Sequence, residues 1–217
     1  MPLPKQDHYE LARDAALRRL RSGLDADLLR LLGAGLSDDA NAIVIPSLCW
    51  EFQVTLSPFS LCLLPGRQDV SAVWQILVLD YLGAREPVPP RKFVSFADFP
   101  DGRGYQSAFE ARVTSRLGRT AGGDAAALLR AAERLGATPL QGRGSPVQEP
   151  VRCILRFFPL LEFQVVRYAG DEDFPPSCNV LFSDNLLSIF SMEDGIVAAE
   201  RLVSALEGKT PAAHRWG

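Results

Sequence analysis

Histidine is nearly absent from this chain of 217 residues: there are two, His8 and His214, each close to a terminus. Ser-His-Asp, Cys-His and H-E-x-x-H mechanisms need an imidazole supported by the body of a fold, so those reaction classes are set aside. Cysteine is almost as scarce. Cys49, Cys62, Cys153 and Cys178 stand far apart with no C-x-x-C pair, which argues against a zinc knuckle or an iron-sulfur run and leaves buried thiols as the expectation. An excess of one charge is missing too. Against 26 acidic residues there are 23 basic ones, for a net charge of -3 and a pI near 5.5, so no broad positive field exists to hold nucleic acid. No stretch reaches the roughly 18 apolar residues of a membrane span, and the opening MPLPKQDHYELARDAALRRL carries no apolar core of signal-peptide type. A cytoplasmic protein with reduced cysteines and no membrane partner is expected. In QGRGSPVQEP the G-x-G lacks a third glycine and a Lys-Ser/Thr ending, and Pro146 breaks the helix a phosphate loop requires; this stretch reads as a linker or turn.

What is present suits one core. With 47% hydrophobic residues the chain can fill a single domain, read here as an α+β unit over residues 1–208, with mostly antiparallel sheets flanked by helices and a flexible tail over 209–217. A first helix is expected over residues 8–21, with Leu11, Leu17 and Leu20 turned inward. Trp50, Phe52, Val54 and Leu56 alternate with Glu51, Gln53 and Thr55, the pattern of a half-buried strand inside an antiparallel meander. Asp69 is expected to cap a helix running to Leu82. Its sequence VSAVWQILVLDYL is apolar on nearly every side and so belongs at the centre of the fold; its Trp74 and Tyr81 are candidates for core packing or for lining a ligand pocket.

The segment AREPVPPRKFVSFADFPDGRGY holds four prolines and two glycines and cannot stay regular for long. It reads as a strap anchored by Phe93, Phe96 and Phe99, or as a functional loop containing Phe99 and Tyr105. Phe109, Val113 and Leu117 at i, i+4, i+8 then predict a helix, and Asp124 caps another. VRCILRFF and LEFQVVRY predict two strands around Pro159-Leu160, and CNVLF a third. Ser191 three residues before Asp194 has the form of a capping box, opening a helix whose inward stripe is Ile196, Ala199, Val203 and Leu206.

Acid concentrates between Tyr168 and Asp194: Asp171, Glu172, Asp173, Asp184, Glu193 and Asp194 occur there with no Lys or Arg among them. With Phe174 they are candidates for binding a ligand or a partner. Asp171, Asp173 and Asp184 are the candidate ligands for a divalent metal, since carboxylates suit Mg2+, Mn2+ or Ca2+, although their spacing matches no calcium loop. The opposing possibility is architectural: acids that shape a turn, cap a helix, or pair with Arg152, Arg156 and Arg167 on the neighbouring strands.

Three segments, ILVLDYLGAREPVPPRKFVSFADFPDGRGY, FPLLEFQVVRYAGDEDFPPSCNVLF and FSMEDGIVAAERLV, together resemble the bacterial and archaeal family known as domain of unknown function 3786 (DUF3786), over about residues 70–206. The resemblance implies a prokaryotic cytoplasmic protein. Some relatives carry an added iron-sulfur-type segment, which has no counterpart here. Where that family tends to read L-F-D, this chain reads Leu181-Phe182-Ser183 with Asp184 one place on, and a position that often holds His is Ser188.

Three functional readings follow. The first is a non-catalytic protein that binds a small molecule or cofactor, or serves as an accessory protein; the lack of an internal His and of any complete catalytic motif favours it. The second is a metal-dependent hydrolase using the acids from Asp171 to Asp194. The third is a regulatory module that docks on a protein partner through the acidic turn.

Overall fold

The computed structural model describes residues 4–22, 25–37, 41–121, 124–140 and 150–213. Residues 141–149 of the linker or turn expected at 141–150, and His214 and Trp216 of the tail, lie outside the described residues, as does the side chain of His8.

The first half builds one antiparallel sheet. After α1 (Pro4–Arg21) and α2 (Ala26–Leu31) come β1 (Gly35–Leu36), β2 (Ile43–Ser47), β3 (Trp50–Leu56), β4 (Phe59–Leu64) and β5 (Gln68–Asp69), which neighbour one another in that order. The period-2 pattern decides which side is covered. Phe52 and Val54 are fully buried, while Glu51 is exposed and Gln53 and Thr55 are half-exposed, the division expected where one sheet face meets a core. Helix α3 (Ala72–Leu82) follows. Asp69 does not cap it: Asp69 pairs with Cys62 in β5, and Ser71 takes the N-cap position. Gly83 ends the helix.

The second half builds another antiparallel sheet, in the order β6 (Phe93–Val94), β10 (Ser177–Ser183), β9 (Leu161–Tyr168), β8 (Val151–Phe158) and β7 (Thr138–Leu140). Helices α4 (Gly102–Phe109) and α5 (Ser115–Ala121) are continuous through a π-helical stretch, Glu110–Thr114. Helices α6 (Ala125–Arg134) and α7 (Met192–Leu206) complete the layer. α7 buries Ile196, Ala199, Val203 and Leu206 as its stripe requires. The fold class is α+β, with both sheets antiparallel.

Aromatic side chains join the two sheets. Trp74 on α3 stacks against Phe52 of β3 at 5.5 Å and against Phe157 of β8 at 5.1 Å. The turn after β2 reaches the second sheet directly, through Ser47 Oγ to the Phe157 carbonyl (2.5 Å) and Leu48 N–H to the Arg156 carbonyl (3.1 Å). One core results, running from Ala16 of α1 to Leu206 of α7.

Two expectations fail at the ends of the chain. α1 begins at Pro4, and its Leu11 is 68% exposed while Leu17 and Leu20 are buried; α1 lies against α3 along one edge, and Leu11 falls off that contact. Residues 209–213, read above as the start of a tail, are held along β5: Ala212 bridges Val70, Ser71 N–H donates to the Pro211 carbonyl, and Ala213 N–H donates to the Asp69 carbonyl.

Candidate functional site

The acidic turn is built around the backbone. Asp171 Oδ1 accepts the N–H groups of Asp173 (2.9 Å) and Phe174 (2.7 Å), and Asp171 N–H donates to the Phe174 carbonyl (2.9 Å). This Asx turn closes the chain before Pro175-Pro176. Asp171, Glu172 and Asp173 are exposed, and Phe174 is 71% exposed at the turn.

Asp184 is engaged elsewhere. Its Oδ1 accepts Arg91 N–H (3.0 Å) and Lys92 N–H (3.5 Å), while its own N–H donates to the Lys92 carbonyl. These bonds, Arg91 N–H first, hold its carboxyl below the usual carboxylate range. Asn185 is buried; its Nδ2 donates to the carbonyls of Val88 (2.6 Å) and Leu160 (2.7 Å). Ser188 Oγ accepts Val88 N–H. The stretch from Asp184 to Ser188 therefore fastens the Pro-rich strap to the second sheet, and Phe96 and Phe99 anchor the strap from the other side by packing on Phe182. Among the described residues no three His, Cys, Asp or Glu side chains come together to hold a metal ion, so Asp171, Asp173 and Asp184 do not form one ligand set. Of the neighbouring arginines, Arg156 pairs with Glu162 at 3.4 Å and is itself largely exposed.

The aromatic candidates divide. Trp74 and Tyr81 belong to the core, at 3% and 0% exposure. The Tyr81 hydroxyl donates to the Leu32 carbonyl (2.8 Å) and accepts Leu160 N–H (3.0 Å), and burial drives its pKa up. Phe99 is buried in the strap and Tyr105 is exposed on α4.

Glu193 and Asp194 are the predicted acids that reach a cavity. They lie in the first turn of α7, where Ser191 Oγ caps Asp194 N–H (3.2 Å) and donates to its Oδ2 (2.6 Å). With Tyr9 and Ala12 of α1, Val73, Ile76 and Leu77 of α3, Arg112 and Val197, they line a cleft of about 360 Å3. Its walls are mostly apolar, and its charged lining groups are Glu193, Asp194 and Arg112. Asp80 stands close enough for the Asp194 charge to act on it. Burial, with that charge adding to it, raises the Asp80 pKa, and its partner Arg19 opposes the rise. Arg112 is engaged by Glu200 at 2.7 Å. Among the described residues no ion pair joins Arg112 to Glu193 or Asp194, so these two lining carboxylates are not neutralised by it.

The family model described as Domain of unknown function (DUF3786) matches residues 26–205. The chain belongs to this family. No curated protein and no solved structure matches it. Within this DUF3786 chain the match takes in the α3 and α7 walls of the cleft, whereas Tyr9 and Ala12 lie outside it.

Two features of the DUF3786 chain had no signal in the sequence reading. The π-helical stretch Glu110–Thr114 sits inside a run whose i, i+4 spacing fits an ordinary helix. Beside it Gln106, Glu110, Thr114, Tyr168, Cys178 and Asn179 line an open polar groove. The thiol there is not set up as a nucleophile: burial raises the Cys178 pKa and pushes that of Cys153 up to about 11, and a protonated thiol attacks poorly.

Proposed function

We propose that this DUF3786 protein is a non-catalytic binding or accessory protein that holds a small amphipathic amine in the cleft between α1, α3 and α7. The observation that carries this reading is the pairing, in one cavity of about 360 Å3, of an apolar wall (Ala12, Val73, Ile76, Leu77, Val197) with the two carboxylates Glu193 and Asp194. Cavities of a few hundred Å3 with apolar walls and a few convergent polar groups are the usual form of a small-molecule site. An ammonium group would meet Glu193 and Asp194, and the alkyl body would lie along α3. The placing of both histidines near the termini and the raised thiol pKa values of Cys153 and Cys178 favour binding over covalent chemistry.

Hexylamine tests this reading, with hexanol and hexanoate as controls. Calorimetric titration of the whole chain should give one saturable site for the amine, weaker binding of the alcohol and none of the carboxylate. The double variant Glu193→Gln, Asp194→Asn keeps side-chain volume and should weaken the amine at least tenfold; Val197→Trp should block it by filling the cleft. Equal binding of amine and carboxylate, or no saturable binding of the amine, would overturn the reading.

A further inference from the structure

A second cavity adjoins the other side of the α3 start. Where Val73 faces the cleft, Ser71 and Trp74 line a smaller space of about 130 Å3 together with Arg201, Ser204, Lys209 and Thr210. Among the described residues its lining carries two cations and three hydroxyls and no carboxylate.

Those cations have donor capacity to spare. Arg201 Nε–H is buried with no acceptor, an unfavourable state for a charged donor. The carboxylate nearest Arg201 is Glu200 at 3.8 Å, which Arg112 already engages at 2.7 Å. Lys209 Nζ approaches Glu207 at 3.1 Å, but Arg116 holds both oxygens of that carboxylate. Four cations thus share two carboxylates, and Arg201 and Lys209 are the pair left facing the cavity. The first turn of α3 adds the positive end of its dipole, and the Ser71 hydroxyl does not cap that turn.

We infer that this cavity is an anion site for a phosphate-type dianion, either free or as the phosphoryl group of a small ligand. The guanidinium and ammonium supply charge, and the hydroxyls of Ser71 and Thr210 supply neutral donors that orient tetrahedral oxygens. The volume equals about four waters at roughly 30 Å3 each, room for one tetrahedral oxyanion; any attached group must extend outside. This site is separate from the amine cleft, and its test does not depend on that reading.

The test is calorimetric titration of the whole chain in low-salt buffer, first with inorganic phosphate and then with methyl phosphate. One saturable site is expected, at least tenfold weaker in Lys209→Gln; that side chain is 60% exposed and its loss leaves the fold intact. Ser71→Asp should abolish binding while the melting temperature holds or rises, because aspartate caps α3 and places its own negative charge in the cavity. Glu193→Gln with Asp194→Asn should leave phosphate binding unchanged. Tighter binding of methyl phosphate identifies a phosphate ester as the source, and tighter binding of inorganic phosphate the free ion. Absence of saturable binding with both probes, or equal affinity in the parent, Lys209→Gln and Ser71→Asp proteins, would overturn the proposal.

Discussion

Replacing Tyr81 by Phe removes one oxygen atom and leaves the ring, which stacks on Phe158 at 4.4 Å. That oxygen makes two bonds between elements distant in sequence: it donates to the Leu32 carbonyl at the end of α2 and accepts Leu160 N–H in the β8–β9 turn. Without it both groups lose their partner, the Leu32 carbonyl at a fully buried position. Each orphaned group costs about 1–3 kcal/mol, and because Leu160 is only half-buried water can recover part of the loss, so about 2–4 kcal/mol is expected for the variant. For a chain of this size each kcal/mol lowers Tm by about 2–4 °C, giving a fall of about 4–16 °C. Urea unfolding should show a lower midpoint with an unchanged slope. The pH dependence gives an independent check. Burial raises the phenol pKa, so the folded state keeps its proton above the unfolded value near 10. The folded chain then binds more protons than the unfolded one, and stability falls as pH rises past about 10. Tyr81→Phe lacks that component, so the two proteins should converge in stability at alkaline pH. A loss below about 1 kcal/mol at pH 7 would refute the claim that this hydroxyl is a structural bridge.

Two further perturbations test the strap and the thiols. Asp184→Ala should raise the amide exchange rates of Arg91 and Lys92 at least tenfold without unfolding the chain; because those N–H bonds lower the Asp184 pKa, the stabilisation is present above about pH 4 and lost as pH falls through the lower folded value. Unchanged exchange would mean the strap is held without that carboxylate. Iodoacetamide at pH 7.5, followed by intact mass, should modify exposed Cys49 slowly and leave Cys153 and Cys178 untouched until the protein is unfolded; rapid modification of Cys153 in the folded protein would contradict its burial.

How much of this was readable in advance depended on range. The strands around Trp50 and Pro159 and the stripe of α7 follow from period alone, and the strap anchors Phe96 and Phe99 follow from aromatic residues amid prolines. Asp171 and Asp184 were misleading for a physical reason: a sequence shows a carboxylate but not the backbone N–H that will claim it. For Asp171 that donor is two or three residues on, and for Asp184 it is more than ninety residues away. Glu193 and Asp194 were legible as the first turn of a helix; that Val73, Leu77 and Tyr9 would stand opposite them depends on tertiary packing. The cavity with Arg201 and Lys209 had no signal at all, since its lining comes from the start of α3, the far end of α7 and a segment read as a loose tail.

The all-round apolarity of α3 explains why both proposed sites meet there. A helix covered by α1 on one side and stacked through Trp74 on both sheets has little polar face of its own, so most of the charge at the two cavities is brought to it by neighbouring segments. Those segments differ in origin. Arg201 and Val197 come from α7, within the family match, whereas Tyr9 and Ala12 on one side and Lys209 and Thr210 on the other fall outside residues 26–205. The α3–α7 pair therefore supplies the fixed walls of each cavity, and the segments before and after the match close them. In the proposed sites charge recognition divides along the same line: Glu193, Asp194 and Arg201 belong to the matched region, while the Tyr9 wall of the amine cleft and the second cation of the anion site, Lys209, come from the segments that flank it.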